Sequence, residues 1–258
     1  MYGEIKIKGH GRTIVMVHGT MMDHTMFEEQ TAVLHQNYRV ITYDQRARTA
    51  SFGTPYSLTD LADDCLALLD ELHIEKCVLV GMSMGGFMAT EFIDRYPDRV
   101  DALILIGSQI GIYTKKEQST RMLEFKKFDV DGHVSDALAK ETASYIFSVH
   151  THENNKVLVE YWTKRWTTLP ARSVLYEAQS WLDKKDYTET AEKFDKPVLV
   201  IHGEKDQVLP CQEKTDAMEK AFPKIKIIKI ANAGHVVNIE AVQETNKAIR
   251  KFLEDLEK

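Results

Sequence analysis

The chain has 258 residues, 43% of them hydrophobic, with 33 Lys and Arg against 39 Asp and Glu for a formal net charge of −6. That composition supports one sizeable core, and without a basic block to neutralise phosphates it argues against nucleic acid as a partner. The apolar runs, such as 102–106 and 198–201, are far too short to cross a bilayer, so no membrane is expected either.

Residues 1–8 alternate polar and apolar side chains and predict a first strand rather than the apolar core of a secretion signal. Further β-rich runs follow at 13–17, 39–43, 77–80, 102–106, 198–202 and 225–230. Several are almost continuously apolar, as parallel strands covered on both faces are. Helical patterns lie between them. The stretch 58–72 places Leu58, Leu61, Ala62, Cys65, Leu68 and Leu69 on one stripe, with Ser57 and Asp60 spaced as a capping box. Others run over 86–95 before Pro97, over 211–222 between Pro210 and Pro223, and from about Asn238 onward. Repeated βα units of this kind predict an α/β fold, with a mostly parallel central sheet and helices on both faces.

The alternation stops over 110–195, where amphipathic patterns succeed one another without a strand. We read this segment as a helical cap inserted into a core domain built from 1–109 and 196–258. It contains all three tryptophans, Trp162, Trp166 and Trp181, and falls between two strands whose C-terminal ends would flank a site in an open α/β sheet. The three cysteines, Cys65, Cys77 and Cys211, are odd in number and form no C-x-x-C pair. They argue against a disulfide framework or a Cys-based zinc site and predict a reducing, cytoplasmic location.

The sharpest local signal is Gly81-Met82-Ser83-Met84-Gly85-Gly86, directly after a predicted strand and directly before a helix. A G-x-S-x-G in that context is a nucleophile elbow, a tight turn that lifts a serine hydroxyl above the sheet. Such a hydroxyl needs a base to take its proton and a carboxylate to orient that base. Asp206 and His235 follow two later strands, and the chain order Ser83, Asp206, His235 is the order of this elbow class. Glu204 is the rival carboxylate, but it stands too near its strand end to reach the base comfortably. His202 reads as a core residue inside a strand, and His10, His35, His73, His133, His150 and His152 as structural or exposed. For the oxyanion, one donor is expected from the Met84 N–H at the helix start. The second is expected from the loop after 13–17, where Thr20 N–H is the assignment and Met21 N–H the fallback. His18 is expected to hold that loop rather than to do chemistry.

Taken together, His18-Gly19, Tyr43-Asp44-Gln45-Arg46, the elbow, His202-Gly203-Glu204-Lys205-Asp206 and Ala233-Gly234-His235 resemble the α/β-hydrolase family, specifically its small cap-bearing esterases, C–C hydrolases and lactonases. The resemblance covers nearly the whole chain outside the insertion. It implies a triad of Ser83, Asp206 and His235 and an oxyanion hole at Thr20 and Met84. One departure stands out: relatives usually continue the Asp44 segment as D-x-R-G-x-G-x-S, whereas here Ala47 and Thr49 replace the glycines. Since a Cβ resists positive φ, this loop is expected to differ in shape.

The expected function is cleavage of a carboxylic ester or lactone through an acyl-enzyme, with no metal or organic cofactor. The expected partner is a small apolar ester-like molecule, and the expected assembly a monomer or homodimer. A C–C bond hydrolase or a cofactor-free perhydrolase on the same triad, and a slow-turnover ligand-sensing protein, are the alternatives. Six methionines near the site, Met21, Met22, Met26, Met82, Met84 and Met88, suggest a pliable apolar acyl pocket, with Met88 assigned to ordinary core.

Overall fold

The computed structural model describes residues 2–258; Met1, the first residue of the predicted N-terminal strand, lies outside them. The chain runs through β1 (Ile5–Lys8), β2 (Thr13–Val17), α1 (Glu28–Leu34), β3 (Arg39–Tyr43), α2 (Leu58–Glu71), β4 (Cys77–Met82), α3 (Met84–Arg95) and β5 (Val100–Ile106). Six helices follow: α4 (Lys115–Phe125), α5 (Asp136–Ile146), α6 (Val149–Asn154), α7 (Lys156–Trp166), α8 (Ala171–Leu182) and α9 (Thr188–Lys193). Then come β6 (Val198–Gly203), α10 (Cys211–Ala221), β7 (Ile225–Ile230), α11 (Val237–Glu240) and α12 (Val242–Asp255). The predicted strands are present, with ends within a few residues of expectation. The last predicted helix is split at Ala241, whose φ of −127° and ψ of 64° break the helical path.

The seven strands form one sheet in the order β1-β3-β2-β4-β5-β6-β7. Only β1 is antiparallel, paired with β3, and the other neighbours are parallel. Alternation along the inner strands divides the core in two. Val15, Val17, Leu79, Leu103 and Leu105 face the layer of α2 and α3, while Ile14, Met16, Val78, Val80 and Ile104 face that of α1 and α12. The capping box at Ser57 and Asp60 starts α2 as expected. Strand order reverses between β2, whose next strand lies to one side, and β4, which lies to the other. The carboxyl ends of adjacent strands part at such a point and leave a crevice for a ligand.

Between β5 and β6 the described residues contain helices and a single isolated bridge, His133 to Pro170. Among the described residues, no helix is long and apolar enough to cross a membrane.

Candidate active site

The elbow supplies its serine through strain. Ser83 sits between β4 and α3 at φ 49° and ψ −116°, a left-handed conformation that residues with a Cβ rarely adopt. The strain is held by hydrogen bonds: Ser83 N–H donates to Ile106 O at 2.8 Å, and Ser108 Oγ–H donates to Ser83 O at 3.0 Å.

The structure brings Ser83, His235 and Asp206 into one hydrogen-bonded line. His235 Nε2 lies 2.9 Å from Ser83 Oγ, and His235 Nδ1 lies 2.8 Å from Asp206 Oδ2. Since Asp206 can only accept there, Nδ1 carries the proton and Nε2 is free to accept one from the serine. All three residues are buried. Asp206 Oδ1 accepts from Val208 N–H and Leu209 N–H, each at 2.8 Å. Burial by itself would raise its carboxyl, but the attraction of His235 and hydrogen bonds from His202 and His235 outweigh that and hold it well below the carboxylate range. Glu204, the rival, is exposed.

His202 is fully buried and hydrogen-bonded, as expected of a core residue, and it also reaches the site. Its Nε2 lies 2.8 Å from Leu209 O and 3.0 Å from Asp206 Oδ2, so one N–H is shared between the two. It is a second orienting donor to the carboxylate.

The loop after β2 borders the elbow. Among the described residues, Thr20 N–H and Met84 N–H meet no protein acceptor, which leaves both available to a ligand oxygen. The fallback donor does not stand: Met21 N–H donates to Glu177 Oε2 at 2.9 Å and is turned toward α8. Trp181 Nε1–H donates to Thr20 Oγ1 at 3.1 Å, so α8 touches this loop twice.

His18 is a brace. Gln45 N–H donates to its Nε2 at 3.0 Å, which puts the ring proton on Nδ1 and directs it to Gly19 O at 2.9 Å. Full burial, aided by the Arg48 charge, pushes its imidazole down to about 4 from 6.5. A depressed pKa contributes stability that is complete above about 6.5 and is lost as pH falls toward 4. The expected loss is about 3 kcal/mol over that window, and a His18→Asn variant is expected to show a shallower fall in urea midpoint between pH 7 and pH 4.5. Equal slopes would show that another group controls this range.

The Asp44 segment accommodates Ala47 and Thr49 without left-handed backbone: neither has positive φ, and Thr49 lies at φ −118°. The segment instead forms a 3-10 turn over Arg46–Arg48. Arg46 pairs with Asp64, and Arg48 turns inward to Glu177 at 2.7 Å.

A cavity of about 60 Å³ opens beside Ser83 and His235, lined by Met21, Met22, Met82, Phe87, Trp166 and Trp181 among others. Two of the three tryptophans therefore face it, while Trp162 packs against Tyr161 and Arg165. Met84 and Met88 side chains belong to the core on the α2 and α3 side.

Sequence reasoning missed Glu177 and Glu240. Glu240 accepts from Gly234 N–H, Ser148 N–H and Thr151 Oγ1, binding the loop that carries His235 to the start of α6. A glutamate five residues past the candidate base was the available signal.

Comparison with known proteins agrees with this geometry. A family model described as alpha/beta hydrolase fold matches residues 12–242. A non-heme chloroperoxidase of Kitasatospora aureofaciens is 27% identical over 95% of this chain and 93% of its own. A bifunctional esterase/perhydrolase of Acinetobacter calcoaceticus is 24% identical over 85% of this chain and 83% of its own. The solved structure of a thermophilic esterase from Thermogutta terrifontis superposes with a TM-score of 0.91 at 26% identity, covering 98% of this chain and 93% of that one. With a family match over most of its length and this sheet topology, the chain belongs to the alpha/beta hydrolase fold family.

Proposed function

We propose that the protein hydrolyses carboxylic esters or lactones with a short acyl part through an acyl-enzyme on Ser83. The observation that carries this reading is the two-bond line from Ser83 Oγ through His235 to Asp206, with distances of 2.9 and 2.8 Å. His235 Nε2 takes the hydroxyl proton as Ser83 Oγ attacks the carbonyl carbon, and Asp206 stabilises the imidazolium. The N–H groups of Thr20 and Met84 receive the oxyanion, the latter at a helix start where partial positive charge accumulates. His235 returns the proton to the leaving alkoxide, then activates water to release the acid. Each of these steps uses only side chains and backbone N–H groups named above.

The cavity beside Ser83 and His235 is small and lined chiefly by apolar side chains, which suits a short apolar acyl group better than a long chain. The alcohol side would face a more polar mouth at Lys116, Glu117, Arg121 and Glu124. The cysteines, all free and buried, favour a reducing compartment such as the cytoplasm. The helices of 110–195 act as a cap that shields the acyl-enzyme from bulk water.

The test is a fluorophosphonate label located by mass spectrometry, followed by p-nitrophenyl esters of increasing acyl length. The adduct is expected on Ser83, with turnover highest for acetyl to butyryl esters and lost in Ser83→Ala. An adduct elsewhere, or full turnover by Ser83→Ala, would overturn the reading.

A second reading is favoured by the chloroperoxidase and perhydrolase names among the relatives. Hydrogen peroxide attacking the same acyl-enzyme in place of water releases a peracid. Peracid formation from an ester and peroxide, followed by bromide oxidation, measures its share.

A further inference from the structure

Glu177 is a carboxylate with no place in the acyl-transfer sequence, yet its side chain is fully buried in the middle of α8. Its Oε2 takes two donors, Met21 N–H at 2.9 Å and Arg48 Nη2 at 2.7 Å. Its Oε1 meets no partner among the described residues. Arg48 is nearly as buried, and its other donors reach Met22 O at 2.7 Å, Ala47 O at 3.0 Å and Ser173 Oγ at 3.4 Å. The pair therefore holds the loop at two points on either side of the Met21–Met22 peptide, the N–H of Met21 and the C=O of Met22. Between them Met21 stands at φ 63°, a conformation a methionine does not choose for itself.

A buried ion pair is a poor device for stability alone, because two apolar side chains of the same volume commonly do as well or better. What apolar side chains cannot do is fix the direction of a backbone N–H. Met21 N–H lies in the peptide plane next to the one that carries Thr20 N–H, joined to it at the Thr20 Cα, and Met22 N–H closes the turn on Gly19 O at 3.1 Å, so holding the first plane narrows the directions open to Thr20 N–H. Trp181, one turn further along α8, adds its bond to Thr20 Oγ1.

We propose that Glu177 and Arg48 are positioning residues that hold the loop at residues 19–22 in the arrangement in which Thr20 N–H faces the oxyanion, an inference that rests on the ester-hydrolase reading above. The pair makes α8 part of the oxyanion hole. The inserted helices thus prepare the site for the transition state as well as cover it.

The experiment compares wild type with Glu177→Gln, Glu177→Leu and the double variant Arg48→Met/Glu177→Leu. It reads the rate of Ser83 phosphonylation by a fluorophosphonate, and kcat and KM for p-nitrophenyl acetate. Glutamine keeps an acceptor for Met21 N–H and is expected to stay within about threefold of wild type. Leucine is expected to slow phosphonylation and kcat by about 100-fold with KM within about twofold, as a misdirected donor does. The double variant leaves no stranded charge and keeps the test readable if the single leucine variant fails to fold. It is expected to be as slow as Glu177→Leu while unfolding at a temperature near that of wild type. A folded double variant that reacts at the wild-type rate, or a rise in KM with kcat unchanged, would overturn the positioning role. Absence of an adduct on Ser83 of the wild type would instead overturn the ester-hydrolase reading, and this inference with it.

Discussion

An Asp206→Asn variant is expected to keep the fold and to lose about 10⁴-fold in kcat, equivalent to about 5 kcal/mol of transition-state stabilisation. Four donors converge on this one carboxylate: Val208 N–H and Leu209 N–H on Oδ1, His235 Nδ1–H and His202 Nε2–H on Oδ2. An amide has one acceptor oxygen and must turn its NH₂ toward one pair. The two backbone N–H groups cannot change, so the amide oxygen goes to them. His235 can change. Faced with an NH₂ it adopts the other tautomer, with Nδ1 accepting and the proton on Nε2, and a protonated Nε2 cannot take the hydroxyl proton of Ser83. The check is kcat for p-nitrophenyl acetate and the rate of Ser83 phosphonylation between pH 6 and 9, with circular dichroism to report the fold. A decline of less than tenfold in a folded variant would show that Asp206 does not set the tautomer. In that case His202 would be the residue to replace next, because among the described residues it shares Oδ2 with His235.

This line of three residues was readable in sequence because each member stands just past a strand end, and strands buried on both faces announce themselves as apolar runs. The choice of Asp206 over Glu204 follows from the same geometry, since the residue nearer the strand end turns to solvent and the later one folds back. Residues 110–195 were harder. α4 buries none of its side chains fully, so the stripe that reveals a helix's inner face is faint. Its start was nevertheless marked, because Thr114 and Glu117 form a capping box, and Ser135 and Ser148 cap the next two helices. Glu177 carried no comparable mark. A glutamate inside an amphipathic helix reads as part of the solvated face, and its partner Arg48 lies 129 residues away in the chain. Likewise the methionines point to a pocket by composition but not by side: Met82 and Met84 flank the same serine and face opposite layers of the core.

A Gly85→Ala variant tests whether close packing, rather than helix propensity, governs the elbow. On propensity alone an alanine inside α3 should stabilise the protein by about 0.5–1 kcal/mol. The contacts predict the opposite sign. A Cβ on Gly85 would stand 2.2 Å from Val17 O and 2.7 Å from His18 O, both backbone atoms of β2 and its following loop. Neither can rotate away, so α3 and β2 must separate by about an ångström to reach van der Waals contact, at an expected net cost of 3 kcal/mol or more. That separation acts at the switch between β2 and β4 and parts Thr20 N–H from Met84 N–H, so Ser83 phosphonylation is expected to slow even where the variant remains folded. Two other glycines calibrate the result. Gly86→Ala would bring its Cβ to 2.3 Å from Ser108 Oγ, which can turn at the expense of its bond to Ser83 O, and to 2.6 Å from Ser108 Cβ, which cannot, so it too is expected to destabilise. Gly111→Ala meets nothing within 4 Å and is expected to lie within about 0.5 kcal/mol of wild type. Urea unfolding midpoints rank the three, and a Gly85→Ala variant as stable as Gly111→Ala would mean that the elbow helix is free to move away from β2.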